Sequence, residues 1–219
     1  MNSLLKSLLV VAALTISFSP LTSKAEVFFV EDQGNRFSLS FPDTWKKTNN
    51  QKPDDKLVVE GQGHYHFATC HVRVREDRRF VIYPEKFNDE IQRTSFSEEF
   101  WDNYLSDYDE AKIEDFRDDA GLGFGAASIA EASFYTNEGP VVHKRGLMLA
   151  SLYHDQLYII ECSSQISVYD KWRDAFMGII KSVDFKKVTH DSKSGYYREF
   201  MDDPEVEVNG PKALDVHKF

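Results

Sequence analysis

The sequence predicts an α+β protein in which an antiparallel β-sheet is covered by helices. Three observations carry this expectation. Segments with a two-residue apolar period fill the first part of the chain. Two helical stripes follow, and hairpin-like segments then run into one long amphipathic helix.

The chain begins with a segment that has the three parts of a signal peptide, Met1 to Ala25. Lys6 supplies the early positive charge, Leu8 to Phe18 is an apolar run, and Ser23-Lys24-Ala25 places small residues where a signal peptidase reads. The run falls short of the ~20 apolar residues that a membrane span needs, so cleavage is expected over anchoring. Cleavage removes Lys6 and Lys24 and takes the formal charge from −10 to −12. Such a balance repels nucleic acid and anionic membrane surfaces. No nucleic acid partner and no stable membrane insertion after cleavage are therefore expected.

Residues 26–186 read as a single α+β domain. Val27 to Val30 is a first strand or arm. Phe37, Leu39 and Phe41 alternate with serines, as in a half-buried strand, and Pro42-Asp43-Thr44-Trp45 closes it as a turn. Leu57-Val58-Val59 opens another strand that breaks at Gly61-Gln62-Gly63. From His66 to Arg75 the alternation puts Ala68, Cys70, Val72 and Val74 on the core face, with Thr69, His71, Arg73 and Arg75 opposite. Pro84 fits the start of a helix bearing Phe87 and Ile91. Ser95-Phe96-Ser97-Glu98 resembles a capping box before the stripe Phe100, Trp101, Tyr104 and Leu105. Ile129–Tyr135, Val141–Tyr153 and Gln156–Cys162 read as antiparallel hairpin strands. Ser167 is placed to cap a last helix whose buried face is Val168, Trp172, Phe176, Ile179, Ile180 and Val183. Residues 187–219 then lose apolar content and read as a flexible polar tail.

The strand-turn Phe37-Ser38-Leu39-Ser40-Phe41-Pro42-Asp43-Thr44-Trp45 resembles the F-x-I-x-Y-P-x-x-W opening of the PsbP-like superfamily. The late hairpin, the strand Leu157 to Cys162 and the amphipathic helix into Ile180-Lys181-Ser182-Val183 fit its closing pattern. The resemblance implies an α/β/α sandwich with an antiparallel sheet. It also implies a domain that binds or assists other proteins, as extrinsic subunits of photosystem II do. No binding residue of the family maps onto this chain.

Few motifs suggest chemistry. His64, His66, Cys70 and His71 are ligand types for zinc or copper. An extended strand would turn His64, His66 and Cys70 to one face and His71 to the other. The spacing matches no standard site, so a strand with a solvated histidine pair is preferred to a metal centre; His143 and His154 are the other candidate ligands. Gly121-Leu122-Gly123-Phe124-Gly125-Ala126 matches a loose dinucleotide pattern, but an acidic segment precedes it, and it reads as a turn. Asp107 opens no calcium loop, because Lys112 and Asp118 occupy the positions that need Gly and Glu. The acidic stretch Glu98 to Asp119 reads as solvated surface, and Trp45, Trp101 and Trp172 as core aromatics.

The expected function is an exported, periplasmic or extracellular, non-catalytic accessory or binding domain without a cofactor. It would act on a protein partner or a small-molecule ligand. The alternative is a metal-assisted periplasmic hydrolase using His64 and His66. The two cysteines, Cys70 and Cys162, leave one connectivity and lie in apolar strands of an exported chain, so a disulfide between them is expected.

Overall fold

The computed structural model describes residues 27–186 apart from 50, 51, 64, 84, 124, 137 and 138. The expected signal peptide and tail, together with His64 and Pro84, lie outside the described residues.

The alternating segment forms β2 (Phe37–Pro42), which pairs antiparallel with β1 (Val27–Asp32) on one side and with β10 (Asp184–Phe185) on the other. The Pro42 carbonyl accepts the Trp45 amide N–H at 2.9 Å, closing the expected turn. The chain then enters a second sheet through β3 (Lys46–Thr48), β4 (Asp55–Glu60) and β5 (Thr69–Glu76). Two helices follow, α1 (Asn88–Ser95) and α2 (Glu98–Leu105). A meander of β6 (Asp109–Leu122), β7 (Gly125–Tyr135), β8 (His143–Tyr153) and β9 (Gln156–Gln165) comes next, and α3 (Tyr169–Lys181) closes the domain. The second sheet has seven strands in the order β3-β4-β5-β9-β8-β7-β6, antiparallel at every pairing.

Two apolar layers cover this sheet, one on each face. Cys70, Val72, Leu147, Leu149 and Ile160 pack against Phe176, Ile179 and Ile180 of α3, and against Phe37, Leu39 and Phe41 of β2. On the opposite face Ala130, Ala132, Met148, Ala150 and Ile159 receive Phe96, Trp101 and Leu105. The alanines leave room for the Trp101 ring, whose indole N–H donates to Ser128 Oγ at 3.1 Å. Gln92 ties α1 down by donating to the Ala150 carbonyl at 3.1 Å and accepting the Leu152 amide at 3.0 Å. The result is the expected α/β/α sandwich.

Several local expectations are corrected. β5 does not have one core face: His71 and Arg73 are only 7% and 3% exposed, because the α2 side of the sheet is roofed as well. Ser95 to Glu98 makes no capping box. Ser95 ends α1, the buried Phe96 donates its N–H to the Gln92 carbonyl, and Ser97 starts α2 without a side-chain cap bond. Ser167 lies in a 3-10 turn (Ile166–Val168), so Val168 rather than Ser167 precedes α3. The acidic segment from Asp109 is largely exposed, but it is the edge strand β6, interrupted by register shifts. Charge and irregularity on an open edge oppose pairing with other chains. Gly123, at φ +55°, makes the β6–β7 turn, the role read for that glycine run.

Cys70 and Cys162 face each other across the two central strands, β5 and β9, and are joined by a disulfide. The bond spans a sequence separation of 92. Closing a loop of that size is worth about 4–5 kcal/mol in the chain-entropy model, an upper figure. Protein purified without reductant should show no free thiol in denaturant, and reduction should lower its unfolding free energy by several kcal/mol in that model. Two titratable thiols in the unreduced protein would contradict the bond.

Candidate functional site

The candidate site grows out of the α2 face of the central strands. The two-residue period brings Thr69, His71 and Arg73 of β5 to this face, with Ser163, Glu161 and Ile159 of β9 directly opposite them. Gly146 of β8 pairs with Ser163 on one side and with Ala132 of β7 on the other. This row of small residues leaves the sheet bare at one end. Helix α2 stops at Leu105, and the chain turns back through Tyr108 without filling the space. A cavity of about 330 Å³ results. Its walls include His71, Arg73, Tyr108, Lys144, Glu161 and Ser163, with Lys52 and Asp107 also lining it.

Glu161 is the centre of the wall. It is 3% exposed, yet it accepts from three donors: Arg73 Nη1 at 2.8 Å, the Tyr104 hydroxyl at 2.6 Å and the Tyr108 hydroxyl at 3.0 Å. Arg73 continues the network through Nε, which donates to Asp55 at 3.0 Å. The other Asp55 oxygen accepts the Lys52 amide N–H at 2.8 Å, and His71 Nδ1 stands 3.5 Å from the carboxylate. The guanidinium also lies over the Tyr104 ring, 5.5 Å from its centre. Lys52 reaches Asp107 at 3.3 Å.

These contacts set the charge states. Burial pushes the Glu161 carboxyl up, but Arg73, His71 and the Tyr108 hydroxyl outweigh it and hold the group below its ordinary value. Burial likewise opposes ionisation of Asp55, and the nearby His71 imidazole and the bond from the Lys52 amide, with the charge of Arg73, bring it well below the carboxylate range. Burial and the Glu161 charge push the Tyr108 phenol up, so it stays a donor. Lys144 goes the other way from its neighbours: burial lowers the ammonium, and Glu161 and Glu60 offset this only in part. Its hydrogen bond is a long one, 3.4 Å, to the Thr69 hydroxyl. Glu161, Arg73 and Asp55 thus satisfy one another, while Lys144 faces the cavity without a carboxylate partner among the described residues.

The candidate ligands of the alternative, metal-dependent reading do not converge among the described residues. His66 lies in a turn before β5, between the positive-φ residues Tyr65 and Phe67, so it does not share a strand face with Cys70. Its Nδ1 accepts the Trp172 indole N–H at 3.3 Å. Cys70 is in the disulfide, His143 stacks on Tyr135, and His154 lies 3.1 Å from Asp155. Among the described residues no group of three or more His, Cys, Asp or Glu side chains could hold a metal ion. Among the described helices none is long and apolar enough to cross a membrane.

Sequence reasoning passed over Lys144, Glu161, Tyr104 and Tyr108. Arg73 and His71 had been given a face but no partner. One signal was available: Glu161 interrupts an apolar run, Leu157 to Cys162, that reads as a buried strand. A charge at such a position demands a buried counter-charge.

No family model matches the chain, and no curated protein matches its sequence. Among solved structures it is similar to cyanobacterial PsbP (CyanoP) from Synechocystis sp. PCC 6803. That match has a TM-score of 0.50 at 13% identity, covering 78% of this chain and 99% of that one. Two further matches are the Ran-binding protein Mog1p of Saccharomyces cerevisiae and LpqN of Mycobacterium tuberculosis, involved in cell envelope biogenesis. Mog1p matches at TM-score 0.46 and 9% identity, covering 74% of this chain and 97% of that chain. LpqN matches at TM-score 0.43 and 10% identity, covering 76% and 88%. The fold is PsbP-like, as the opening motif and the closing helix implied.

Replacing Arg73 by Met leaves two buried carboxyls without their cation and should cost about 3–5 kcal/mol of stability at neutral pH. Both carboxyls are held below their ordinary values. Their stabilising contribution is therefore complete above roughly pH 4.5 and is lost as pH falls further. The deficit of Arg73→Met relative to the parent, measured by chemical denaturation, should thus shrink on acidification. A deficit that stays constant down to pH 3 would contradict the network.

Proposed function

We propose that this chain is an exported, non-catalytic binding or accessory domain whose ligand site is the cavity beside Glu161. In this reading residues 1–25 are a cleaved signal peptide, residues 26–186 the working domain and residues 187–219 a polar tail dispensable for folding. The protein acts in the periplasm or outside the cell, a setting that suits its disulfide.

One observation carries the reading. The ionised groups of the cavity wall are already bonded to one another: Glu161 accepts from Arg73, Tyr104 and Tyr108, and Arg73 also serves Asp55. Groups locked in this way hold a shape rather than take and return protons. A general base needs an acceptor site free to reach the proton it removes. About 330 Å³ is at the small end of ligand pockets, so the occupant is a small molecule or a single side chain of a partner. The PsbP-like fold supports a binding role only as analogy, since one fold hosts many functions.

The test is a fragment screen read by two-dimensional amide NMR on the mature protein. A few hundred neutral, cationic and anionic fragments are expected to give hits whose saturable shifts cluster at His71, Lys144, Glu161 and Ser163. Ser163→Phe, which fills the floor, should abolish those shifts while the spectrum of the α3 face is retained. Hits confined to other surfaces, or unaffected by Ser163→Phe, would overturn the cavity as the site.

A further inference from the structure

We infer that the cavity selects a small molecule carrying an oxyanion, a carboxylate or phosphate group, that seats on the Lys144 ammonium. The inference rests on the cavity being the ligand site and names what the ligand must carry.

Two buried glutamates, Glu131 and Glu161, each anchor a charge cluster among the described residues, and the clusters differ in one respect. Around Glu131 the charges close on themselves: Arg145 donates to Glu131 at 2.9 Å and pairs with Glu114 at 2.9 Å, and Arg173 donates to Glu131 at 3.0 Å. Around Glu161 one cation, Lys144, stands outside the direct ion pairs. Arg73 is used by Glu161 and Asp55, and Lys52 by Asp107. Lys144 lines the cavity with the Thr69 hydroxyl at 3.4 Å as its hydrogen-bond partner, and no carboxylate among the described residues lies within ion-pair distance. A partly desolvated cation with no carboxylate in ion-pair contact costs stability; the charges of Glu161 and Glu60 offset that cost only in part, so an anion from outside that touches it is favoured. The Ser163 hydroxyl lines the same cavity and offers a neutral donor, and Phe134 and Tyr108 give an aromatic wall for the rest of the molecule.

The bonded network works as a screen. Glu161 and Asp55 share the Arg73 guanidinium, and Glu161 also accepts from Tyr104 and Tyr108, so they repel an incoming anion less than free carboxylates would. An organic cation would meet Lys144 and find Glu161 already shared among Arg73, Tyr104 and Tyr108. Because burial holds the Lys144 ammonium below its ordinary value, an arriving anion raises it again. Binding then takes up protons at alkaline pH.

Benzoate and benzamide form a test pair of matched shape that differ in charge, and inorganic phosphate serves as the second anion. They are titrated into the mature protein at fixed ionic strength and followed by calorimetry and amide shifts. Benzoate is expected to bind about tenfold or more tightly than benzamide, as for a hydrogen bond to a charged partner. Its apparent enthalpy should differ between buffers of unlike ionisation heat near pH 9, reporting proton uptake. Lys144→Met should lose the preference and raise the thermal midpoint, whereas Lys144→Arg should keep the preference. Lys181→Met, on the exposed end of α3, should change nothing. If phosphate alone binds through Lys144, the oxyanion is a phosphate group; if benzoate alone does, it is a carboxylate. Equal binding of benzoate and benzamide at the cavity amides would overturn the oxyanion while leaving the cavity as the site. Unchanged benzoate binding by Lys144→Met, a lowered midpoint in that variant, or no saturable binding of any probe would also overturn it.

Discussion

The structure depends on a carboxylate being buried in the middle of a sheet that is covered on both faces. Glu161 lies on β9, one of the two central strands, with His71 beside it on β5 and Met148 on β8. Water cannot solvate it there, so the chain must supply donors. One comes from β5, as Arg73. The others come from Tyr104 on α2 and Tyr108 on the return to β6. That single requirement fixes where α2 ends and how the chain re-enters the sheet, and hence where the roof over the sheet stops. The cavity is the space left beyond that stop.

The two faces of the sheet divide the labour. On the α3 face the packing is apolar and dense, with the disulfide between β5 and β9 set among Val72, Leu147 and Ile160. Trp45 packs edge to face on both Trp172 and Phe176 beside it. Gly61 is required there, since a Cβ would lie 2.8 Å from the Trp172 ring. This face holds the domain together. The α2 face sets alanines, Ser163 and Gly146 beside Met148 and Ile159, and carries the buried Glu161, Arg73 and Asp55, whereas Glu131 lies on the α3 side with Arg173. The α2 face gives up apolar burial at one end for a polar hollow, the kind of local departure from good packing that marks a working surface.

The sandwich was legible because its signals are local. The alternation of Phe37, Leu39 and Phe41, the stripe through Trp101 and the face of α3 each follow from a period of 2 or 3.6, and two cysteines allow one pairing. The site was not legible, because it is assembled from residues far apart in the chain. Arg73 and Glu161 lie 88 positions apart, and Tyr104 reaches Glu161 from 57 positions away. Sequence parity put His71 and Arg73 on the face away from Cys70, and no period reveals that a helix from elsewhere roofs that face. A strand is the expectation for His64 to His71. Its end, Thr69 to His71, lies in β5, but Tyr65 and Phe67 bend the chain before it and His66 is spent on Trp172.

The fold likeness to cyanobacterial PsbP stops at architecture, and what this chain does has to be argued from its own cavity. The account turns on Glu161 being an ionised group held by three donors rather than a proton-exchanging one. The direct measurement is a carbon-13 NMR titration of the Glu161 side-chain carboxyl in the purified protein. The account predicts a midpoint below the ordinary glutamate value of 4.5. A midpoint at or above that value would mean that burial outweighs Arg73 and the two tyrosines. Glu161 could then trade protons with a ligand, and the screened, anion-selecting cavity described above would be contradicted.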